Sequence, residues 1–289
     1  MKEGNNSKIK GIFLIFINNL IWGTSGYVIR LFPGIDAISI TWARAFFGSL
    51  FVLLWLLLTV RPISKIVKVR ENLKEIFFLA VLFISTVSFM ISGVKYGSIS
   101  TTFFLLYTSP LFVAVFSKFI LGEKVKEKDL IPLLLAAVGL VFIFGGTLAQ
   151  KIRLEDIFGF LAGVSQGLMV VVGKSIGKRT PGYISSFWIY IYGAAILTPF
   201  TNFNKVFQSN LLLLILFGVL NNGLAGVAFF EGIRYTSAKE AGLLSLIDPI
   251  ENSLLAFILL NEIPTVGTVV GGVLILVSMI IQEMKLEKN

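Results

Sequence analysis

A 31-residue segment of this chain occurs twice, and the second copy begins 139 residues after the first. Each copy opens on a Gly-x-basic-Tyr-x-Ser motif, continues as an apolar run with one central proline, and ends in a glutamate. The copies share seven identities, at Gly93/Gly232, Tyr96/Tyr235, Ser98/Ser237, Leu105/Leu244, Pro110/Pro249, Leu121/Leu260 and Glu123/Glu262. Each copy holds one membrane-length helix. If each half of the chain contains an odd number of spans, the two halves are inverted relative to each other in the membrane. Inverted repeats are typical of secondary transporters, whose substrate site lies between the halves.

The composition is that of a membrane protein. Hydrophobic residues make up 56% of the chain and charged residues 14%, and the mean hydropathy is +0.88. A bilayer core needs about 20 apolar residues per helix. We predict an all-α integral membrane protein with ten transmembrane helices, over about residues 11–30, 37–58, 75–94, 99–121, 129–147, 156–175, 182–200, 211–232, 240–260 and 265–283.

The net charge of +9 is distributed unevenly along the chain. If the N-terminus is inside, 19 of the 25 basic residues lie in segments on that side and five on the other, with Arg44 inside the second span. This bias follows the positive-inside rule. It predicts a multi-pass protein of the cytoplasmic membrane with both termini in the cytoplasm. The same loops explain the basic charge without nucleic-acid binding.

The chain contains no cysteine and no histidine. This removes thiol nucleophiles, imidazole bases and the usual zinc ligands. A P-loop of the form GxxxxGK[ST] is also missing from the sequence, which argues against ATP-driven transport by this chain alone. We therefore predict that the protein is not an enzyme and uses no cofactor or metal.

The ten runs divide into two halves of five. We predict a first repeat over residues 1–150 and a second over 151–289, arranged as two inverted five-helix repeats around a central cavity. A weaker match supports the division, because 11–20 resembles 159–168 at an offset of 148. This match aligns Asn18 with Gln166.

Several motifs together resemble the drug/metabolite transporter superfamily, in its EamA-type branch of ten-span transporters. They are the run Asn19 to Gly23, Arg44 in Trp-Ala-Arg-Ala-Phe, the signatures Tyr96-Gly97-Ser98 and Tyr235-Thr236-Ser237-Ala238, and a proline with a closing glutamate (Pro110 and Glu123; Asp248-Pro249 and Glu262). The resemblance implies a central cavity lined mainly by the first, third and fourth helices of each half. It also implies transport of amino acids or other small metabolites, often outward.

The sharpest site candidates are two carboxylates in the ninth span. Asp248 and Glu251 are three residues apart and share a helix face with Ser245 and Asn252. Polar groups are expensive inside a membrane, so this patch predicts a site for a substrate amine or a coupling proton. Glu251 is the coupling candidate. The alternative is a structural ion pair with a basic residue such as Arg44.

Other polar and aromatic residues are candidates for the substrate pocket. The equivalent amides of Asn18 and Gln166 can hydrogen bond a polar substrate or a neighbouring helix. Trp22 and Tyr107 can form a cation–π wall or fill the core.

Pro110 and Pro249 lie in the middle of predicted helices, where they would act as paired hinges or as static kinks. Glycines of the fifth and tenth spans, including Gly139 and Gly271, indicate close helix packing.

We predict a secondary transporter that exports amino acids or similar small polar metabolites by alternating access, as a monomer or homodimer. One alternative keeps the fold but moves organic cations, such as quaternary amines or drugs, by uptake or efflux. An intramembrane enzyme or a receptor is the alternative of another class. It is disfavoured because both carboxylates lie on one helix.

Overall fold

The computed structural model describes residues 2–59, 73–120, 127–148, 153–177, 182–232, 235 and 247–286, and every regular element among them is helical. The helices are α1 (Lys2–Gly23), α2 (Ser25–Arg30), α3 (Ala37–Thr59), α4 (Leu73–Tyr96), α5 (Ile99–Leu106), α6 (Ser109–Ile120), α7 (Glu127–Leu148), α8 (Leu154–Gly177), α9 (Gly182–Leu197), α10 (Phe203–Gln208), α11 (Leu211–Phe217), α12 (Ala225–Gly232), α13 (Ile247–Leu260) and α14 (Val266–Leu286). A π-helical segment, Gly218–Leu224, joins α11 to α12.

Six helical stretches in the described part of the chain are long and apolar enough to cross a membrane. They coincide with the first, second, third, sixth, seventh and eighth predicted spans. The fifth and tenth predicted spans coincide with α7 and α14, whose apolar stretches are shorter. The fourth is divided between α5 and α6, and the first residues of the ninth lie outside the described residues. The protein is therefore an all-helical, multi-pass membrane protein, while ten spans remain a prediction.

Two of the predicted spans are interrupted. The first breaks at Thr24, whose hydroxyl donates to the carbonyl of Ile21 at 2.7 Å. The fourth breaks at Tyr107 and Thr108, and the Thr108 hydroxyl donates to the carbonyl of Leu105 at 2.6 Å. In each case a threonine side chain satisfies a carbonyl in the helical turn that ends at the break, which a membrane interior requires.

The placement of Pro110 in the middle of a helix was wrong. It is the second residue of α6, directly after the break. Proline has no backbone N–H and is tolerated in the first helical turn, where that donor has no intrahelical partner. Pro249 is the third residue of α13 as described, and residues 236–246 before it lie outside the described part of the chain.

Helices that the repeat makes equivalent make equivalent contacts. The helix α4 packs on α8, and its counterpart α12 packs on α1. A methyl group on Gly93 would lie 3.3 Å from the backbone nitrogen of Gly159, and one on Gly232 would lie 3.1 Å from the carbonyl of Gly11. The repeat relates Gly93 to Gly232 and Gly11 to Gly159. Close backbone approach thus explains why both copies carry glycine there.

The closing motif of each copy, Leu-Gly-Glu or Leu-Asn-Glu, has a conformational reason in the second copy. Asn261 follows the last residue of α13 and has φ of 54°, in the left-handed region. Glycine and asparagine are the residues that best tolerate this conformation at a helix end. The turn brings Glu262 to the start of α5.

The helices α7 and α14 cross at a pair of glycines. A methyl group at Gly139 would lie 2.7 Å from the carbonyl oxygen of Gly271, and one at Gly271 would overlap the carbonyl of Gly139. These are backbone atoms, which cannot move aside as a flexible side chain can. Both glycines are therefore used for packing within the chain.

We expect Gly139→Ala to destabilise the protein by about 1–3 kcal/mol, because the added methyl group must push α7 away from α14. The measurement is the thermal unfolding midpoint of the purified protein in detergent. Gly34→Ala is the matched control, because a methyl group at Gly34 meets nothing within 4 Å. Equal midpoints for the two variants would contradict the close crossing.

Candidate functional site

Two carboxylates on α13 have oxygen atoms that meet no hydrogen-bond partner among the described residues. Asp248 is 2% exposed, and its Oδ2 accepts a hydrogen bond from the phenol of Tyr107 at 2.5 Å. Its Oδ1 is buried and has no partner in the described part of the chain. Glu251 lies one helical turn further on, and its buried Oε2 likewise has no partner there. Buried polar atoms are nearly always satisfied in native proteins, so such unpaired oxygens indicate a site that binds something.

The Glu251 carboxylate lies against the break in the first span. A methyl group at Gly23 would overlap this carboxylate, so the side chain as placed packs directly on the glycine. The side-chain oxygen of the next residue, Asn252, accepts from the backbone nitrogen of Gly26 at 2.8 Å, and its side-chain nitrogen donates to the carbonyl of Asp248 at 2.9 Å. These bonds fix α13 to the start of α2.

The break in the fourth span carries Tyr107 to Asp248. The helix α8 covers this break with two glycines, since a methyl group at Gly163 would lie 2.6 Å from the Leu105 carbonyl and one at Gly167 would lie 2.9 Å from the Ser109 carbonyl. Gln166 lies between these glycines in the sequence of α8 and is partly buried. It does not hydrogen bond to Asp248 or Glu251.

The remaining predicted pocket residues of the first span turn toward the eighth span. The indole nitrogen of Trp22 donates to the backbone carbonyl of Asn221 at 2.8 Å, and its ring stacks on Phe229 at 5.9 Å. Asn18 is fully buried beside Asn19, and with its amide nitrogen turned toward Ala225 it donates to that carbonyl at 2.9 Å. The structure thus groups Tyr107, Asp248 and Glu251, and places Asn18 in a contact between α1 and α12.

Arg44 does not pair with the acidic residues of the ninth span. Its guanidinium is 5% exposed and donates to the side-chain oxygens of Asn221 and Asn222, with Nη2 3.0 Å from the latter. Its Cζ lies 4.6 Å from the ring centroid of Phe217. Among the described residues, no carboxylate oxygen is within 4.0 Å of it. The predicted alternative of an ion pair with Asp248 or Glu251 is therefore wrong for the described part of the chain.

The sequence alone gave no reason to connect Arg44 with Asn221 and Asn222. Both asparagines lie in the π-helical segment, a rare helical form that often occurs at functional sites, and the Arg44 guanidinium meets both. The backbones approach closely, because a methyl group at Gly48 would lie 3.2 Å from the Gly218 carbonyl. The available signal was a pair of amides in the middle of an apolar span.

A second charged cluster lies at one end of the bundle. Arg30 donates to the carbonyls of Lys95 at 3.1 Å and Gly97 at 2.5 Å, and its Nη2 lies 3.3 Å from Oε2 of Glu262. The other oxygen of Glu262 accepts from the backbone nitrogen of Ile99, at the start of α5, at 2.6 Å. This Arg30–Glu262 clamp joins α2, the α4–α5 connection and the end of α13.

We expect Glu262→Gln to weaken this clamp and open that end of the bundle, because it removes the charge from both contacts. The reporter is Ser100→Cys, which is buried in α5; the chain has no other cysteine. Maleimide labelling of this cysteine should rise about tenfold, the effect of losing about 1.4 kcal/mol. Glu75→Gln, on the exposed first turn of α4, is the control. Unchanged labelling in both variants would show that the clamp does not hold this end closed.

The cluster of Tyr107, Asp248 and Glu251 offers acceptor oxygens and negative charge, but it has no metal-site geometry. No group of three or more potential metal ligands occurs among the described residues. A carboxylate inside a membrane protein becomes stable by pairing with a cation or by taking up a proton. The arrangement can therefore bind a substrate ammonium group or carry a proton.

Comparison with known proteins gives relatives over nearly the whole chain. A protein of Archaeoglobus fulgidus described as an uncharacterized transporter is 29% identical over 269 residues, covering 92% of this chain and 94% of that protein. An uncharacterized transporter of Clostridium kluyveri is 26% identical, covering 94% of this chain and 92% of that protein. The riboflavin transporter ImpX of Fusobacterium nucleatum is 21% identical, covering 95% and 98%.

Solved structures and the family comparison agree on the fold. One crystal structure aligns with a TM-score of 0.64 at 15% identity, covering 96% of this chain and 98% of that one. The description "EamA-like transporter family" matches twice, over residues 9–145 and 153–282. The resemblance drawn from the motifs is thereby confirmed, and this chain belongs to the EamA-like transporter family.

Proposed function

We propose that this transporter is a secondary transporter of the cytoplasmic membrane that exports amino acids or similar small polar metabolites. The observation that carries the proposal is the pair of buried oxygens, one on Asp248 and one on Glu251, that have no hydrogen-bond partner among the residues the structure describes. The substrate ammonium group binds between these two side chains, and the Tyr107 phenol holds Asp248 in place.

The negative charges of Asp248 and Glu251 have an energetic cost inside a membrane. An acidic side chain at the centre of a bilayer costs about 2.5–3.5 kcal/mol on insertion scales. Among the described residues, no basic side chain lies within 4.0 Å of Asp248 or Glu251 to offset this cost. A substrate cation offsets it during transport, and a proton on Glu251 offsets it when the site is empty. Glu251 is therefore the proposed group that couples proton movement to substrate transport.

The position of the carboxylates supports a transport site rather than a packing contact. Asp248 meets Tyr107 at the break in the fourth span, and Glu251 meets Gly23 at the break in the first. Interrupted helices are typical of the binding sites of secondary transporters, since their free backbone groups face a cavity rather than lipid. The predicted pocket residues Asn18, Trp22 and Gln166 lie on α1 and α8, the helices that flank these breaks.

We further propose that residues 1–150 and 151–289 are inverted repeats that rock around this site, with Pro110 and Pro249 as hinges. The equivalent contacts of α4 with α8 and of α12 with α1 support the repeat relation. The distribution of basic residues supports cytoplasmic termini. If the termini are cytoplasmic, the Arg30–Glu262 clamp lies at the outer end, which must open for release. The outward direction rests on the family resemblance.

The second candidate is transport of organic cations such as quaternary amines or drugs. The same acidic cluster favours it, together with the aromatic rings of Tyr107 and Trp22, which can attract a cation. Riboflavin, named for one distant relative, carries no ammonium group for the carboxylates to pair with. It is therefore a useful third ligand class in the test.

The test is counterflow in liposomes that contain the purified full-length protein. Three panels of radiolabelled compounds are compared: amino acids, choline-like cations and riboflavin. We expect exchange of one or more amino acids, with competition by zwitterions. Exchange of cations alone would favour the second candidate, and exchange of riboflavin alone would contradict the role of the carboxylates. Protein-free liposomes and liposomes with heat-unfolded protein are the controls.

A further inference from the structure

One edge of the Arg44 guanidinium donates hydrogen bonds, and the Nη1 nitrogen at its other edge donates none among the described residues. Its Nε and Nη2 donate to the side-chain oxygen of Asn222 at 3.2 and 3.0 Å, and Nη2 also donates to Asn221. Its Nη1 is buried and has no partner within the described part of the chain. Because Oδ1 of Asn222 accepts from Arg44, the orientation of the Asn222 amide is fixed. Its Nδ2 is a second buried donor without a partner among the same residues.

The partners of Arg44 orient its charge without neutralising it. Amide oxygens are neutral acceptors, and the ring of Phe217 at 4.6 Å contributes only a cation–π attraction. Charged side chains inside a membrane bundle usually pair with one another or with backbone carbonyls. Among the described residues, Asp248 and Glu251 have no basic partner, yet both lie more than 4.0 Å from Arg44. A guanidinium and two carboxylates that are kept apart in this way match a ligand that carries both a positive and a negative charge.

The two charged regions border the same short segment of the first span. Asn221, which accepts from Arg44, donates through Nδ2 to the carbonyl of Ile21 at 3.2 Å and to the hydroxyl of Ser25 at 2.9 Å. Gly23, two residues from each of these partners, lies against the Glu251 carboxylate. Both charged regions thus border the break at Thr24.

We infer that Arg44 and Asn222 form an anion subsite that recognises the carboxylate group of the transported substrate. The inference rests on the proposed function and deepens it, since it assigns the substrate to the zwitterionic amino acids rather than to organic cations. Arg44 Nη1 and Asn222 Nδ2 are the donors, on two side chains that already hydrogen bond to each other. The substrate carboxylate supplies the counter-charge that the described residues lack.

The first measurement uses the wild-type protein in liposomes and needs no variant. The probes are the amino acid that exchanges best, its methyl ester and its decarboxylated amine, each as a competitor of counterflow. The ester and the amine keep the ammonium group but lose the carboxylate. We expect both to compete at least about tenfold more weakly, as for loss of one hydrogen-bonded charge. Equal competition by all three would overturn the subsite and leave amine transport standing.

The second measurement uses Asn222→Asp, which places a carboxylate next to Arg44 and supplies its counter-charge from within the protein. We expect this variant to fold, because it gains an ion pair where a hydrogen bond already exists. It should lose the preference for the amino acid over its ester by about tenfold. Asn202→Asp is the control, because Asn202 caps α10 at the surface and aspartate serves equally well there.

The outcomes separate the two proposals. An Asn222→Asp variant that keeps the wild-type preference would overturn the anion subsite while transport itself stands. Failure of the wild type to exchange any amino acid or amine would contradict both the proposed function and this inference. If the variant does not fold, the comparison of the amino acid with its ester in the wild type still decides.

Discussion

Replacement of Asp248 by asparagine is expected to reduce amino-acid counterflow by about a hundredfold. Asparagine has nearly the same shape and can still accept the hydrogen bond from Tyr107. The Asp248→Asn replacement removes the negative charge that faces the substrate ammonium group. Hydrogen bonds to charged groups contribute about 1.5–3 kcal/mol each, which corresponds to about tenfold to a hundredfold in binding. The measurement is the initial rate of counterflow at a fixed amount of reconstituted protein.

Asp156→Asn is the matched control for this variant. Asp156 is also a buried aspartate, at 7% exposure, but it lies in the first turn of α8. We expect its variant to exchange substrate at the wild-type rate. A second control is the thermal unfolding midpoint, which should be similar for both variants and the wild type. If Asp248→Asn kept full exchange, Asp248 would not contact the substrate.

Glu251→Gln is expected to abolish accumulation driven by a pH gradient. If one proton moves for each substrate molecule, a gradient of one pH unit supports about tenfold accumulation, since one unit corresponds to 1.36 kcal/mol. Glutamine cannot carry the proton, so the variant should show no accumulation at any gradient. The measurement is substrate uptake into liposomes with a defined pH difference, with and without a protonophore.

The control for this variant is Glu155→Gln, which changes a partly buried glutamate in the first turn of α8. It should accumulate substrate as the wild type does. Full pH-dependent accumulation by Glu251→Gln would remove Glu251 as the coupling group. If the pH gradient does not change substrate accumulation by the wild type, transport is not coupled to protons.

Much of the fold was visible in the sequence because membrane helices and repeats leave strong one-dimensional patterns. The offset of 139 paired Gly93 with Gly232, and the structure shows why, since each glycine packs against a glycine of another span. The ninth span was predicted to end at residue 260, and the left-handed Asn261 follows directly. A short sequence motif can encode such positions, because the glycines answer to close backbone packing and Asn261 to local backbone conformation.

The acidic cluster could be predicted from the energetic cost of a carboxylate in a membrane span, which makes such residues rare unless they have a function. Its partners were only partly predictable. Tyr107 was named as a pocket residue, but its bond to Asp248 depends on the break in the fourth span. The repeat itself gives no help, since Ser109 and Phe112 occupy the positions equivalent to Asp248 and Glu251. The acidic residues of the site therefore belong to the second half only, while Tyr107 comes from the first.

The surroundings of Arg44 could not be predicted from sequence. Its partners Asn221 and Asn222 lie in a π-helical segment, which departs from regular helical spacing. No residue pattern in the sequence predicted this segment. The same limit explains the misplacement of Pro110, because an apolar run does not reveal where its helix is interrupted.

The most direct test of the proposed site is chemical modification of its carboxylates with and without substrate. Dicyclohexylcarbodiimide reacts with carboxyl groups in apolar surroundings, and peptide mass spectrometry identifies the modified residue in the full-length protein. We predict modification at Glu251, which decreases about tenfold when an exchanged amino acid is present at about ten times its Kd. Modification that stays constant at saturating substrate, in protein shown to exchange it, would contradict binding of the substrate at these carboxylates.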